Sequence, residues 1–252
     1  MTLQTVYNLI CFPRFTYLKK RYGGMLPPKV YHKIYKIVND LPDLDIVEIG
    51  GASGACSITV VKAIKASGKK GKLIVVEKCE GGSRSSIGNY ELNYSYIIDN
   101  FRRAGVDEYI SLFPHEITYD NIEKIYDLIK TPKISCLIHD ADGRIDRDIN
   151  LFFSYLCPKG NIIVDDYNNK AKYKVPSKRY PQGGIKSKIT YYLVNQLVDW
   201  GLIIVDEIIG DTLFGHKGKD DVFKNLDISK CEIIVKNIEI ERDRNLNIKS
   251  ET

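Results

Sequence analysis

The chain has 252 residues, with 37 Lys and Arg against 32 Asp and Glu, 44% hydrophobic residues and 9 prolines. That composition excludes low-complexity, collagen-like, coiled-coil and disulfide-scaffold proteins, and its length allows one large domain or two small ones. The net charge of +5 permits an anionic partner without requiring one.

No uncharged apolar run approaches the ~20 residues that a membrane-spanning helix needs, so no membrane partner is expected. Met1 to Phe12 lacks a basic start and a compact apolar segment with a small-residue cleavage site, so a signal peptide is not expected. The six cysteines are scattered with no C-x-x-C pair, which points to a reducing, cytoplasmic compartment.

Residues 1–43 read as a helical cap, with a helix over Pro28 to Asn39 behind the breakers Gly23-Gly24 and Pro27-Pro28. From residue 44 to 217, short β-rich runs alternate with segments of helical period, the pattern of βαβ units and a mostly parallel sheet. The expected strands are Asp45 to Ile49, Lys72 to Glu77, Tyr109 to Phe113, Ile134 to His139, Asn161 to Asp165 and Leu202 to Ile208.

Helices are expected at Gly54 to Ala66, Tyr90 to Ala104 (closed by Gly105), Asp120 to Ile129 and Ile145 to Leu156. Pro158-Lys159-Gly160 reads as a turn into the next strand. Ile185, Ile189, Tyr192, Leu193, Leu197 and Trp200 form one apolar stripe on a fifth helix. A last, antiparallel strand falls at Thr212 to His216 in preference to Glu232 to Val235. Residues 218–252 form a C-terminal extension, charged from about Asn237 and expected to be partly disordered.

The first chemical signal is Val47-Glu48-Ile49-Gly50-Gly51-Ala52-Ser53-Gly54-Ala55-Cys56-Ser57, an apolar strand, a turn of small residues, then a helix. Small residues let backbone approach a ligand, and the helix start offers free N–H groups. A dinucleotide turn would need glycines where Ala52 and Ala55 stand, and a P-loop would need a Lys after Gly54.

What the stretch matches is E-x-G-x-x-x-G, and here the chain resembles the class I S-adenosylmethionine-dependent methyltransferases. The resemblance implies a Rossmann-like α/β methyltransferase fold, a mostly parallel seven-stranded sheet with helices on both faces. It implies that Glu48, Gly50, Gly51, Ala52 and Gly54 shape the methionine site, with Ser57 a further candidate. Glu77, ending Leu73-Ile74-Val75-Val76, would hold the ribose hydroxyls, a task that suits a carboxylate because it accepts two donors at once. Read without a ligand, the same glycines make a tight strand-to-helix turn, and Glu77 is a solvated strand end.

The second signal is Ile138-His139-Asp140-Ala141-Asp142-Gly143 with Ile163-Val164-Asp165-Asp166-Tyr167. Carboxylates crowded at strand ends repel, so a cation sits among them or some take protons. The pattern resembles the metal-dependent O-methyltransferases of the catechol and macrolide-sugar types, which would make Asp140, Asp165 and Asp166 ligands of Mg²⁺, Asp140 also bordering the cofactor. The paired aspartates can equally cap a turn or bind Lys. Catechol-type enzymes carry a basic Lys where this chain has Gly143. His139 and Asp142 are the nearest catalytic substitutes, against ordinary readings as a packed strand residue and a helix cap.

Lys170 to Lys188 is a basic loop with Tyr173 and Tyr180. Its ordinary reading is a solvated loop balancing the aspartates, which is favoured over a substrate lid or a nucleic-acid path. Pro181 to Ile185 resembles the glycine turn before the helix that follows strand five in the macrolide-sugar type.

The sequence-level expectation is therefore a methyl transfer from S-adenosylmethionine to a hydroxyl of a small molecule, a sugar, polyketide or catechol-like acceptor. A nucleic-acid methyltransferase and a non-catalytic cofactor-binding module are the alternatives. A homo-oligomer is compatible with the sequence.

Overall fold

The structure is a computed structural model that describes residues 3–80, 89–176 and 183–246. Its described residues fall into two compact units, one up to residue 80 with Asn89–Cys136, the other from Leu137 to 246. The seven strands form a mostly parallel sheet in the order β3-β2-β1-β4-β5-β7-β6, with helices around it, a Rossmann-like architecture.

The first unit holds α1 (Leu3–Cys11), α2 (Pro13–Arg21), α3 (Pro28–Asp40), β1 (Asp45–Ile49), α4 (Ala55–Ala66), β2 (Leu73–Val76), α5 (Tyr90–Ala104), β3 (Ile110–Phe113), α6 (Ile122–Tyr126) and the start of β4 (Ile134–His139). Every residue of β1 and β2 is buried, as in a parallel sheet covered on both faces; β2 is wholly apolar, and β1 carries the buried carboxylates of Asp45 and Glu48. Ile46 pairs with Leu73, and Leu73 with Ile110, both in parallel.

Asp45 fixes the starting ends of these strands. Its carboxylate accepts the N–H groups of Lys72 (2.7 Å), Lys130 (2.7 Å) and Thr131 (3.1 Å). Val30, Ile34 and Val38 bury one stripe of α3, which packs on α4. The expected cap contains two helices more than the sequence reading places there: α2 starts at Pro13, a residue suited to a first helical turn, and ends on Lys19, Lys20 and Arg21, which favour a helix C-terminus.

The second unit holds the end of β4, then α7 (Ile145–Phe152), β5 (Leu156–Val164), α8 (Lys186–Asp199), β6 (Ile203–Ile209), β7 (Thr212–Lys217) and α9 (Ile228–Asn245). β7 is antiparallel to both β5 and β6, so the last strand lies at Thr212 as expected. Glu232 to Val235 instead lies on α9. β5 begins at Leu156, so Pro158 to Gly160 belong to the strand rather than to a turn before it, with Lys159 at φ +58°.

The C-terminal extension also departs from expectation, because the helix continues through Asn237 to Asn245. Asp227 caps its start by accepting from Lys230 N at 3.2 Å, and Cys231, Val235 and Ile238 bury one stripe. Arg144 joins Asp146 to Glu232 of α9. The expectation for residues 247–252 lies outside the described residues. Among the described residues, no helix is long and apolar enough to cross a membrane.

Candidate functional site

The turn after β1 is built from three residues at positive φ: Gly50 (+96°), Ala52 (+48°) and Gly54 (+85°). Gly50 N donates to Val76 O at 2.8 Å, and Gly54 N to Gly51 O at 2.8 Å, so the chain reverses tightly before α4 begins at Ala55. A Cβ on Gly51 would lie 2.5 Å from Val75 Cγ1, and one on Gly54 2.5 Å from Phe101 Cε1. Both glycines thus serve close packing, whatever the turn binds. Ala52 sits in the left-handed region that costs a non-glycine residue about 1 kcal/mol or more.

A single contact supports that strained residue. Ala52 N donates to Glu77 Oε2 at 2.6 Å, and Cys79 N donates to Glu77 Oε1 at 2.9 Å. Glu77, half-buried at the end of β2, is therefore oriented by two backbone N–H groups, one on each oxygen, which leaves each oxygen a second acceptor site. Burial and the Glu77 charge push the Cys79 thiol up to about 12, so it is not a thiolate at neutral pH.

Two residues of α5 that the sequence reading did not single out support the chain after β1 and after β2. Asn100 Nδ2 donates to Ser53 O at 2.9 Å, and Asn93 Nδ2 to Cys79 O at 2.9 Å. Their signal in sequence is weak, since it amounts to two asparagines on a predicted helix. Glu48 and Ser57 meet each other instead of solvent: Ser57 Oγ donates to Glu48 Oε2 at 2.5 Å, with both residues buried.

The second group lies at the ends of β4 and β5. One carboxylate oxygen from each of Asp140, Asp165 and Asp166 lies within 4.8 Å of the others, as the acidic motifs led us to expect. The lysine that balances them is Lys186, which the sequence reading placed in the basic stretch Lys170 to Lys188 without singling it out and which is the first residue of α8. Its ammonium lies 3.1 Å from Asp140 Oδ1 and 2.6 Å from Asp166 Oδ2. Ser187 Oγ donates to Asp166 Oδ1 at 3.2 Å, and Thr212 Oγ1 to Asp165 Oδ1 at 2.6 Å.

The charges follow from this geometry. Burial raises Asp140, against the pull of Lys186. Burial, then the Asp140 charge, pushes Asp165 up to about 7. Burial alone would raise Asp166, but the Lys186 ammonium and the hydroxyl of Ser187 bring it below the usual carboxylate range. Lys186 is held above its own range because Asp140 and Asp166 outweigh its desolvation.

The donor set has the oxygen chemistry of a hard divalent ion. It does not fit one as it stands, because an ammonium is already bonded to two of the three carboxylates.

The two expected proton-handling residues are otherwise engaged. Asp142 takes both Arg147 Nη1 (2.7 Å) and Arg147 Nη2 (3.2 Å). Burial would raise its carboxyl, but Arg147 outweighs burial and holds it at about 2, a weak base at neutral pH. His139 is fully buried, with Nδ1 2.6 Å from Asp148 Oδ2 and Nε2 lacking a hydrogen-bond partner among the described residues. Asp148 also accepts from Arg147 Nε at 2.9 Å, so His139, Asp148, Arg147 and Asp142 form one chain of contacts.

In the basic loop, Lys188 Nζ lies 4.6 Å from the centre of the Tyr173 ring, and Gly183 and Gly184 adopt φ +61° and +73° just before α8. Tyr180, Pro181 and Gln182, on which the loop and glycine-turn readings partly rest, lie outside the described residues.

No family model and no curated protein matches this chain. Solved structures do. An O-methyltransferase from Bacillus cereus in complex with S-adenosylhomocysteine aligns at a TM-score of 0.59 and 13% identity, over 86% of this chain and 97% of that one. TomG, an O-methyltransferase of tomaymycin synthesis from Streptomyces achromogenes in complex with S-adenosylmethionine, aligns at 0.55 and 14%, over 86% and 100%. The S-adenosylhomocysteine-bound methyltransferase PaMTH1 from Podospora anserina aligns at 0.57 and 14%, over 87% and 89%. The chain thus has the fold of class I S-adenosylmethionine-dependent O-methyltransferases, across almost the whole length of each.

Proposed function

We propose that the protein transfers a methyl group from S-adenosylmethionine to a hydroxyl oxygen of a small molecule, with a sugar, polyketide or catechol-like acceptor as the class to screen first. The observation that carries this reading is the bond from Ala52 N to Glu77 Oε2, which joins the ends of β1 and β2 into one cradle. Ligands of open α/β sheets bind at such strand ends. A carboxylate fixed by backbone on both oxygens is preorganised for two further hydroxyl donors, as a ribose supplies.

In this assignment Gly50, Gly51, Ala52 and Gly54 line the methionine part and Glu77 holds the ribose. Glu48 and Ser57, closed on each other, support the turn from beneath. The reaction forms a carbon–oxygen bond as the carbon–sulfur bond breaks in line, so the protein's task is to align the acceptor oxygen and let its proton go. Asp140, Asp165 and Asp166 are the residues assigned to the acceptor end. Asp142 and His139 are not assigned the proton, since one is committed to Arg147 and the other is shut from solvent.

Calorimetric titration with S-adenosylmethionine, S-adenosylhomocysteine and NAD tests the cofactor half. Saturable binding of the first two and none of NAD is expected. Binding of NAD alone, or of none of the three, would remove the basis of the proposal.

A further inference from the structure

The metal-dependent enzymes that the acidic strand ends resemble place a divalent ion among these carboxylates, and this chain places a lysine there. Building on the methyl-transfer reading, we infer that Lys186 is the resident cation of the acceptor site, bridging Asp140 and Asp166 where the relatives' ion would bridge them, and that the protein works without a divalent metal.

Every carboxylate of the trio already has a partner from the chain itself. Lys186 serves Asp140 and Asp166, Ser187 serves Asp166, and Thr212 serves Asp165. A Mg²⁺ ion binds oxygen at about 2.0–2.1 Å. An ion bonded at that distance to Asp140 and Asp166 would compete for the two oxygens that the ammonium holds at 3.1 and 2.6 Å. Two cations bonded to the same two carboxylates would lie close enough to repel strongly, so each disfavours the other.

The backbone is arranged for the lysine. Gly143 stands where the catechol type has its own Lys, and it adopts φ +90°. A Cβ at this position would lie 2.9 Å from Lys186 O and 3.2 Å from Thr190 Oγ1, so only glycine lets the first turn of α8 close onto the loop after β4. A side chain at 143 is therefore incompatible with the present seat of the Lys186 backbone. Asp166, a non-glycine residue at φ +59°, turns its carboxylate toward both Lys186 and Ser187.

The ammonium has three N–H donors, of which the described contacts use two. Its side chain is 27% exposed, so the lysine is not sealed from a ligand. That geometry suits an acceptor oxygen, which would accept one N–H from Lys186 while the carboxylates stay neutralised.

The test is a Mn²⁺ titration of the full chain, read by electron paramagnetic resonance, on wild type, Lys186→Ala and Lys186→Met. The prediction is no site in the wild type up to millimolar Mn²⁺ and at least a tenfold gain in affinity in a folded Lys186 variant. Adding Asp166→Asn to that variant should abolish the gain.

Micromolar Mn²⁺ binding by the wild type, lost in Asp140→Asn or Asp166→Asn, would overturn the inference. So would two folded Lys186 variants that gain no Mn²⁺ affinity. S-adenosylhomocysteine titrations of the same proteins separate the two readings: if none binds it, the methyl-transfer reading fails, while the Mn²⁺ result still decides what Lys186 replaces.

Discussion

Glu77 and Ala52 stand twenty-five residues apart in sequence and meet at 2.6 Å, carboxylate to backbone N–H, across the ends of two neighbouring strands. Replacing Glu77 with Ala removes that contact and the proposed ribose acceptor together. Because charge-assisted hydrogen bonds contribute roughly 1.5–3 kcal/mol, Glu77→Ala is expected to weaken S-adenosylhomocysteine binding by about 10- to 100-fold. Calorimetry on the variant, with circular dichroism to show that it is folded, checks this; unchanged affinity refutes the ribose assignment.

Ser57 and Glu48 give a prediction about stability rather than binding. Their bond is buried on both sides, so Ser57→Ala deprives an interior carboxylate of a donor. The expected loss is about 1–3 kcal/mol in urea unfolding at neutral pH. A loss within 0.3 kcal/mol, about the noise of such melts, would show that the pair does not stabilise the β1–α4 turn.

At Gly54 the expectation is steric. An alanine would meet the Phe101 ring at 2.5 Å and occupy φ +85°, so Gly54→Ala is expected to cost about 2 kcal/mol or more, from overpacking and backbone strain together. Thermal melts of Gly54→Ala beside Gly68→Ala separate the two causes. Gly68 also has positive φ, but nothing lies within 4 Å of its Cβ position.

Two carboxylates should tilt stability against pH in opposite directions. Asp142 sits at about 2 in the folded chain against an ordinary 3.8, burial being outweighed by Arg147. Its stabilisation is complete above pH 4 and lost as pH falls through 2, and it is worth roughly 2 kcal/mol. Asp165, raised to about 7 by burial and then by Asp140, does the reverse: its folded form favours the proton, so stability declines from pH 4 up through pH 7. Urea melts between pH 3 and 8 should show Asp142→Asn less stable than wild type at pH 5 to 8, and Asp165→Asn with a flatter profile over that range. An Asp165→Asn profile as steep as the wild type's would remove Asp165 as the source.

Much of the first unit was legible because it is local. Two short β-rich runs, a turn of small residues and a terminal Glu are all contained in residues 45 to 77, and each element forms where its own residues favour it. That lysines of residues 170 to 188 balance the aspartates was legible, but not that Lys186 is the one that does. It stands 46 residues from Asp140, and only the docking of α8 brings the two within bonding distance.

The same holds for Glu232 to Val235, whose short β-branched run resembles a strand. It joins a helix because Cys231, Val235 and Ile238 recur at helical spacing, a stripe that needs a packing partner to take effect. The buried pair His139–Asp148 spans a strand end and the following helix, so neither residue's period alone announces it.

Asp45 carries a last consequence. By gathering the N–H groups of Lys72, Lys130 and Thr131 at the starting edge of the sheet, it anchors the strands at the end opposite the Gly turn and Glu77. Alignment is set at one rim, and the proposed cofactor contacts lie at the other. Such a division would let the loops around Glu77 diverge, by drift or by engineering, while the strands beneath keep their register.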